Sequence, residues 1–304
     1  MEIIKHVVKS IVGLGYHPPD VLGIKPEDAK PQHHPVLFGT GFFPERDYVV
    51  TNAHVLKEIL KTREVEIDGT LTPLQINKLE IIHLNLTESG RRWIEKRPLK
   101  GCTVTASPPQ SSMKIDLAVI QFDSVRKDKD ISSIELETRP PEVGEEVGMI
   151  GYPFGGSLFF HGSSIQCSAG PSFQKGCVSN LGVFGDPPDV TSIQTDISVS
   201  GGSSGSPLIN LSNGHVSGKL WGGPQFQGEA GPFIHASPFS WFIPAWMIKA
   251  AVEKSKHAIA RASVKISSKF FVLVNNKKFL EECDIELHSI QTGNKSSYNF
   301  FSKD

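Results

Sequence analysis

The chain has 304 residues, a length that fits one large or two small globular units. Its 31 Lys and Arg against 32 Asp and Glu give a net charge of −1, which argues against a dedicated nucleic-acid binder, since such proteins carry a basic excess to neutralise phosphates. With 38% hydrophobic and 21% charged residues the composition is not that of a disordered chain, and 28 Gly with 21 Pro signal many tight turns and a β-rich fold.

At the N-terminus, Glu2, Lys5 and Lys9 interrupt any apolar stretch before it reaches the length of a secretory signal. From about Val7 to Val190 the chain is a series of short apolar runs cut by turn residues: Val36-Leu37-Phe38, Gly41-Phe42-Phe43, Tyr48-Val49-Val50, Val65-Glu66-Ile67, Leu117 to Ile120 and Val147 to Ile150. That is the pattern of a barrel or a sandwich. A short helix is expected over Ala53 to Lys61, with Val55, Leu56, Ile59 and Leu60 on one face. The alternating charges of Lys127 to Asp130 read as a solvated loop, and Arg139-Pro140-Pro141 as a linker between two β units.

A longer helix is expected from about Pro244 to Ala262, with Ile243, Trp246, Met247, Ala250 and Ala251 at helical spacing and Pro244 in the first turn. The longest candidate for a membrane span, Trp241 to Val252, is too short to cross a bilayer, holds Pro244 and is broken by Lys249. Beyond Ser263, Val264-Lys265-Ile266 and Phe270 to Val274 read as a small β appendage, too short for an independent core. Cys102, Cys167, Cys177 and Cys283 are too few and too irregular for a disulfide framework or a CxxC zinc site. The sequons at Asn85, Asn210 and Asn294 then read as chance, and the expected location is cytoplasmic, away from membranes.

Three strings carry chemistry through their order. Gly39-Thr40-Gly41-Phe42-Phe43 followed by Tyr48 to Val55 is an apolar strand that ends in Thr51-Asn52-Ala53 and delivers His54 to a helical turn. Lys114-Ile115-Asp116-Leu117-Ala118-Val119-Ile120 sets a carboxylate at the lip of an apolar strand, where it needs a partner because desolvating it alone is costly. Taken singly, His54 reads as a satisfied structural residue and Asp116 as a turn residue.

The third string is Ser200-Gly201-Gly202-Ser203-Ser204-Gly205-Ser206-Pro207-Leu208. Its glycines let backbone N–H groups converge on one point, where a Ser can meet the oxyanion formed by its own attack. Strand-like flanks, Val190 to Ile193 and Pro207 to Ile209, make it an ordered loop rather than a linker. A nucleophilic Ser needs a base and a carboxylate to orient that base, and His54 and Asp116 supply both types.

The order His, Asp, Ser resembles that of the trypsin-like, chymotrypsin-fold serine peptidases, and the blocks are most similar to the disulfide-free HtrA/Deg-type branch. The resemblance rests on Thr51-Asn52-Ala53-His54-Val55, on Thr195-Asp196 followed by Ser204, and on Gly151-Tyr152-Pro153-Phe154-Gly155 with Gly176-Cys177-Val178-Ser179, and it covers about Val8 to Ala262. It implies an all-β fold of two antiparallel six-stranded barrels, about 7–138 and 142–240, then a helix at about 244–262, together forming a peptidase domain over 1–262, with an extension over 263–304. It implies a serine endopeptidase working through an acyl-enzyme on protein or peptide substrates. Ser204 would be nucleophile, His54 general base and then acid, Asp116 the residue that fixes the His54 tautomer, and the N–H groups of Gly202 and Ser204 the oxyanion hole. No metal or cofactor is implied, and His33-His34 reads as a solvated loop.

The chain departs from the family in several places. Ser203 stands where activated digestive relatives have an Asp that pairs with a new N-terminus, so Ile11-Val12-Gly13 reads as strand and no zymogen cleavage is expected. Ser206 replaces a family Gly, and residues 263–304 are too few for a PDZ domain. The long interval from His54 to Asp116 implies an insertion around Asn77 to Pro109. The specificity pocket would take Ser198 as its base, with walls from Leu220-Trp221-Gly222-Gly223 and near Gly231. With no acid there, a sizeable apolar or aromatic residue before the scissile bond is expected rather than Lys or Arg.

Two other classes compete with this reading. A pseudo-peptidase would keep the fold as a protein-binding module, against which stand the intact His54, Asp116 and Ser204. An esterase or acyl-transfer enzyme of α/β-hydrolase type would use Ser203 in Gly201-Gly202-Ser203-Ser204-Gly205, yet Pro207-Leu208-Ile209 reads as a strand where that elbow needs a helix, and none of His215, His235, His257 and His288 lies in a recognisable block.

Overall fold

A computed structural model describes residues 2–16, 36–61, 64–67, 70–73, 80–82, 99–104, 115–122, 132–153, 171–184, 189–223, 238–263, 271–274, 288–292 and 295–299. The first elements are α1 (Glu2–Val7), a 3-10 turn, β1 (Ile11–Tyr16), β2 (Val36–Glu45) and β3 (Tyr48–Thr51), followed by α2 (Ala53–Lys61). Next come β4 (Glu64–Ile67), β5 (Thr70–Pro73), β6 (Glu80–Ile82), β7 (Leu99–Val104) and β8 (Ala118–Phe122). The second half holds β9 (Glu146–Gly151), β10 (Ser172–Phe184), β11 (Asp189–Thr195), β12 (Pro207–Asn210), β13 (Val216–Gly222) and β14 (Ser240–Pro244). After them come α3 (Ala245–Ser263), β15 (Phe271–Val274), β16 (His288–Thr292) and β17 (Lys295–Asn299).

The second half closes into a six-stranded barrel in the order β10-β11-β14-β13-β12-β9. The first half gives a seven-stranded sheet in the order β15-β7-β8-β3-β2-β1-β6, which does not close among the described residues. One of the two expected barrels is therefore a closed six-stranded barrel, and the other half is a sheet of seven. Six of those seven come from the expected segment, and the seventh, β15, comes from the appendage and pairs parallel with β7. Of the long interval between His54 and Asp116, the expected insertion around Asn77 to Pro109 lies largely outside the described residues. β6 and β7 pair into the main sheet, whereas β4 and β5 form a separate two-stranded ribbon.

Apolar runs of β-branched and aromatic residues drive these strands. Residues 118–120 of β8 are wholly buried, as are Phe42, Phe43, Val49 and Val50 of β2 and β3. Each Val, Ile or Phe among them contributes roughly 1.5–3 kcal/mol when withdrawn from water. One core cluster fills the closed barrel around Met149, Ile193, Leu208 and Phe242. A second draws on both halves, joining Phe42 and Val119 to Ile150, Ile209, Val216 and Ile248.

α1, in a segment for which no element was expected, has Glu2 in its first turn and Lys5 and His6 in its last, signs that complement the helix dipole. In α3 the buried stripe is Ala245, Ile248, Ala251, Val252 and Ser255. Trp246 and Ala250 face outward, so the expected apolar face is rotated, and Pro244 ends β14 instead of lying in the helix. Arg139-Pro140-Pro141 lies between β8 and β9 as an irregular segment, where Arg139 pairs with Glu145. The sequon at Asn210 is 1% exposed, its amide donating to Glu137 and Glu145. The other two sequon asparagines, His33-His34, Lys127 to Asp130, Val264 to Ile266, Cys167 and Cys283 lie outside the described residues.

Candidate active site

The β3–β8 register builds the first half of the site. Thr51 pairs with Ala118 in this antiparallel ladder, so the residues after Thr51 meet those before Ala118. His54 enters α2 just where Asp116 leaves toward β8. The Asp116 carboxylate accepts three hydrogen bonds: Oδ2 from His54 Nδ1 at 2.5 Å and from Asn52 Nδ2 at 2.8 Å, and Oδ1 from the His54 backbone N–H at 2.9 Å. A carboxylate only accepts, so the proton on this side belongs to His54 Nδ1 and a neutral ring keeps its lone pair on Nε2. The His54 side chain is 48% exposed and that of Asp116 18%, which leaves the imidazole open to solvent above a largely covered acid.

Burial pushes the Asp116 carboxyl up, yet the His54 hydrogen bond, the nearby Lys219 ammonium and the His54 backbone N–H outweigh it and hold the carboxyl well below the usual carboxylate range. Lys219, in the middle of β13, is itself fully buried. Its Nζ donates to Asn52 Oδ1 at 2.8 Å and to the Asp116 main-chain oxygen at 2.5 Å. Desolvation pulls its ammonium down to about 7, and the Asp116 charge opposes that fall.

The third string forms a compact turn. Ser203 N–H donates to Ser200 O at 3.1 Å and Ser206 N–H to Ser203 O at 3.0 Å, while Gly202 and Gly205 lie at φ +85° and +92°. Those angles suit glycine, and at Gly205 an added Cβ would also stand 2.0 Å from Thr40 O. Thr40 of β2 ties the turn to the first sheet. Its N–H donates to Ser204 O at 2.8 Å and its Oγ1 to Gly202 O at 2.9 Å, while Oγ1 accepts from Tyr152 N–H at 2.9 Å. Thr51 Oγ1 in turn donates to Thr40 O at 2.7 Å, which links the turn to the strand that delivers His54. Gly39 lies between the turn and α2, since a Cβ there would meet both Val55 and Ser204 O.

His54 and Asp116 are thus in direct contact, and the Ser204 backbone is tied through Gly39 and Thr40 to the elements that carry them. The N–H groups of Gly202 and Ser204 donate to no other described residue. Ser203 is fully buried. Of the expected pocket residues, Ser198 is exposed between buried Ile197 and Val199, Gly223 is partly exposed, and Gly231 lies outside the described residues. Trp221 O accepts from Asn52 Nδ2 at 3.1 Å, so the expected pocket wall is joined to the His54 block.

Residues 39–218, more than half of the chain, match the trypsin-like peptidase domain. The chain belongs to that family. The match begins at the strand of Gly39 and Thr40, runs through the His54, Asp116 and Ser204 blocks, and ends just before Lys219. No curated protein sequence matches the chain. Among solved structures it is similar to the active form of the Rv3671c protease from M. tuberculosis, at 18% identity over 83% of each chain and a TM-score of 0.48. It is similar also to the serine endoprotease from Yersinia pestis, at 20% identity over 86% of this chain and 66% of that one, TM-score 0.47. The HtrA-type protease AlgW with a tripeptide is 17% identical over 83% of this chain and 62% of that one, TM-score 0.48.

Sequence reasoning did not single out Asn52, Lys219 or Thr40. Lys219 carried a signal, a lone cation between Val216 and Trp221 in an otherwise uncharged strand, which calls for a buried partner. Asn52 and Thr40 carried none beyond their place in the quoted blocks.

Proposed function

We propose that this member of the trypsin-like peptidase family is a serine endopeptidase with Ser204 as nucleophile. The observation that carries the reading is the 2.5 Å hydrogen bond from His54 Nδ1 to Asp116, which leaves Nε2 as the basic nitrogen on an exposed ring. In this reading His54 Nε2 takes the Ser204 Oγ proton as the oxygen bonds to the scissile carbonyl carbon. The carbonyl oxygen becomes an oxyanion that accepts from the N–H groups of Gly202 and Ser204. On collapse the C–N bond breaks, His54 returns its proton to the departing amine, and the acyl group stays on Ser204. Water, deprotonated by His54, then releases the acid and restores the serine. Asp116 stays ionised throughout, which its depressed titration supports.

Substrates are peptides or proteins. The pocket offers no acid at Ser198, and an added Cβ at Gly222 would meet no atom of the described residues, which supports an apolar or aromatic residue before the cleaved bond. Peptide-library products that follow Lys or Arg would overturn that preference. The peptidase reading is tested by labelling the purified chain with a fluorophosphonate probe and locating the adduct by mass. The expected result is one adduct on Ser204, absent in Ser204→Ala. A folded wild-type chain that takes no label would instead be a binding module of peptidase fold.

A further inference from the structure

A fully buried ammonium is expensive to keep, and in the interior of a strand an apolar side chain would avoid that expense. Lys219 nonetheless occupies such a place in β13, with two hydrogen bonds that both end on the His54–Asp116 corner. β13 belongs to the closed barrel, while Asn52 and Asp116 flank strands of the other sheet. Lys219 is therefore a polar cross-link between the two halves, directly behind the pair.

Its chemistry fixes an orientation. An ammonium only donates, so it turns the Asn52 oxygen toward itself. The Asn52 NH2 is then left facing two groups that only accept, Asp116 Oδ2 and Trp221 O. The flipped amide would set NH2 against the ammonium and oxygen against the carboxylate, losing every one of these bonds. The second Lys219 bond pins the Asp116 main chain from which the carboxylate projects.

We propose that Lys219 is a positioning residue for the hydrolysis: through Asn52 and the Asp116 carbonyl it holds the Asp116 carboxylate against His54 Nδ1. The inference rests on the peptidase reading above. Lys219 touches no reacting atom. Its charge adds a second effect, because a buried cation behind Asp116 opposes the gain of another positive charge at this corner. The charged group acting on Lys219 is Asp116, with His54 beyond it on α2.

The test measures fluorophosphonate labelling of the full chain against probe concentration and pH, for the wild type, Lys219→Met, Lys219→Gln and Asn52→Ala, with folding followed by circular dichroism. Lys219→Met is expected to cut the maximal labelling rate about 10- to 100-fold with half-saturation little changed. It should also raise the acid limb of the rate profile by roughly one pH unit. Lys219→Gln, which keeps N–H donors without charge, should recover part of the rate and leave the limb raised. A role confined to packing would lower stability and leave the limb in place. Should Lys219→Met not fold, Asn52→Ala decides, since it removes the relay and keeps the lysine. Wild-type rates and limb in the folded variants would overturn the proposal and leave the peptidase reading standing. A wild type that takes no label overturns both.

Discussion

The Ser204 turn and the His54–Asp116 corner are held by different forces. The turn depends on two glycines at positive φ and on uncharged hydrogen bonds from Thr40, with Leu220 N–H donating to Ser206 O at 2.8 Å. The corner depends on charge: a carboxylate with three donors, backed by a buried ammonium. Neutral hydrogen bonds and steric fit do not titrate, whereas the corner changes with every proton gained or lost. The pH sensitivity of the site therefore belongs to one side, and the shape of the proposed oxyanion pocket to the other.

The comparison can be broken from either side. Asp116→Asn should reduce the labelling rate at neutral pH by about 10⁴-fold, through the wrong imidazole tautomer, while the chain stays folded. A fall of less than tenfold would show that the corner does not orient the base. Gly205→Ala should destabilise the chain by about 3 kcal/mol in denaturant unfolding, from positive-φ strain together with the clash on Thr40 O. It should also lower labelling without moving the pH limb. Thr40→Val removes the hydroxyl that accepts from Tyr152 N–H and donates to Gly202 O, at about 1–3 kcal/mol of stability, again with an unchanged pH profile. A shifted profile in either variant would contradict the division.

The pH dependence of stability sharpens the comparison. Lys219 titrates near 7 when folded and at its ordinary, higher value when unfolded, so between those values the unfolded chain binds more protons. Stability should therefore rise with pH across that window in the wild type, and Lys219→Met should remove that rise. Identical slopes between pH 7 and 10 in the two proteins would show that the lysine is not desolvated. Asp116 acts in the opposite range. Its depressed carboxyl contributes stability above its unfolded value of 3.8, and that contribution is lost as pH falls toward the folded value.

The parts of the site that sequence revealed are those encoded locally. Gly202 and Gly205 advertise the turn because few residues accept positive φ, and His54 and Asp116 advertise themselves by abutting apolar strands that β3 and β8 turned out to be. What was not legible depends on contacts distant along the chain. Which partners Lys219 meets follows only from where β13 lies against Asn52 and Asp116, and that β15 joins the first sheet follows only from its pairing with β7. The rotation of α3 has the same origin, since Trp246 faces outward to donate to Val190 O. Local periodicity identifies a helix with an apolar stripe, and the packing partners select which stripe is buried.

The parallel pairing of β15 with β7 has a consequence for synthesis on the ribosome. Until Phe271–Val274 has emerged, no other described strand covers the β7 side of the first sheet, whose N–H and C=O groups lie along an edge. At ordinary elongation rates that interval is on the order of ten seconds, long compared with hairpin formation. The newly made first half is therefore exposed to strand addition by neighbouring nascent chains, and the strand that caps it arrives only after the whole closed barrel and α3 have been made.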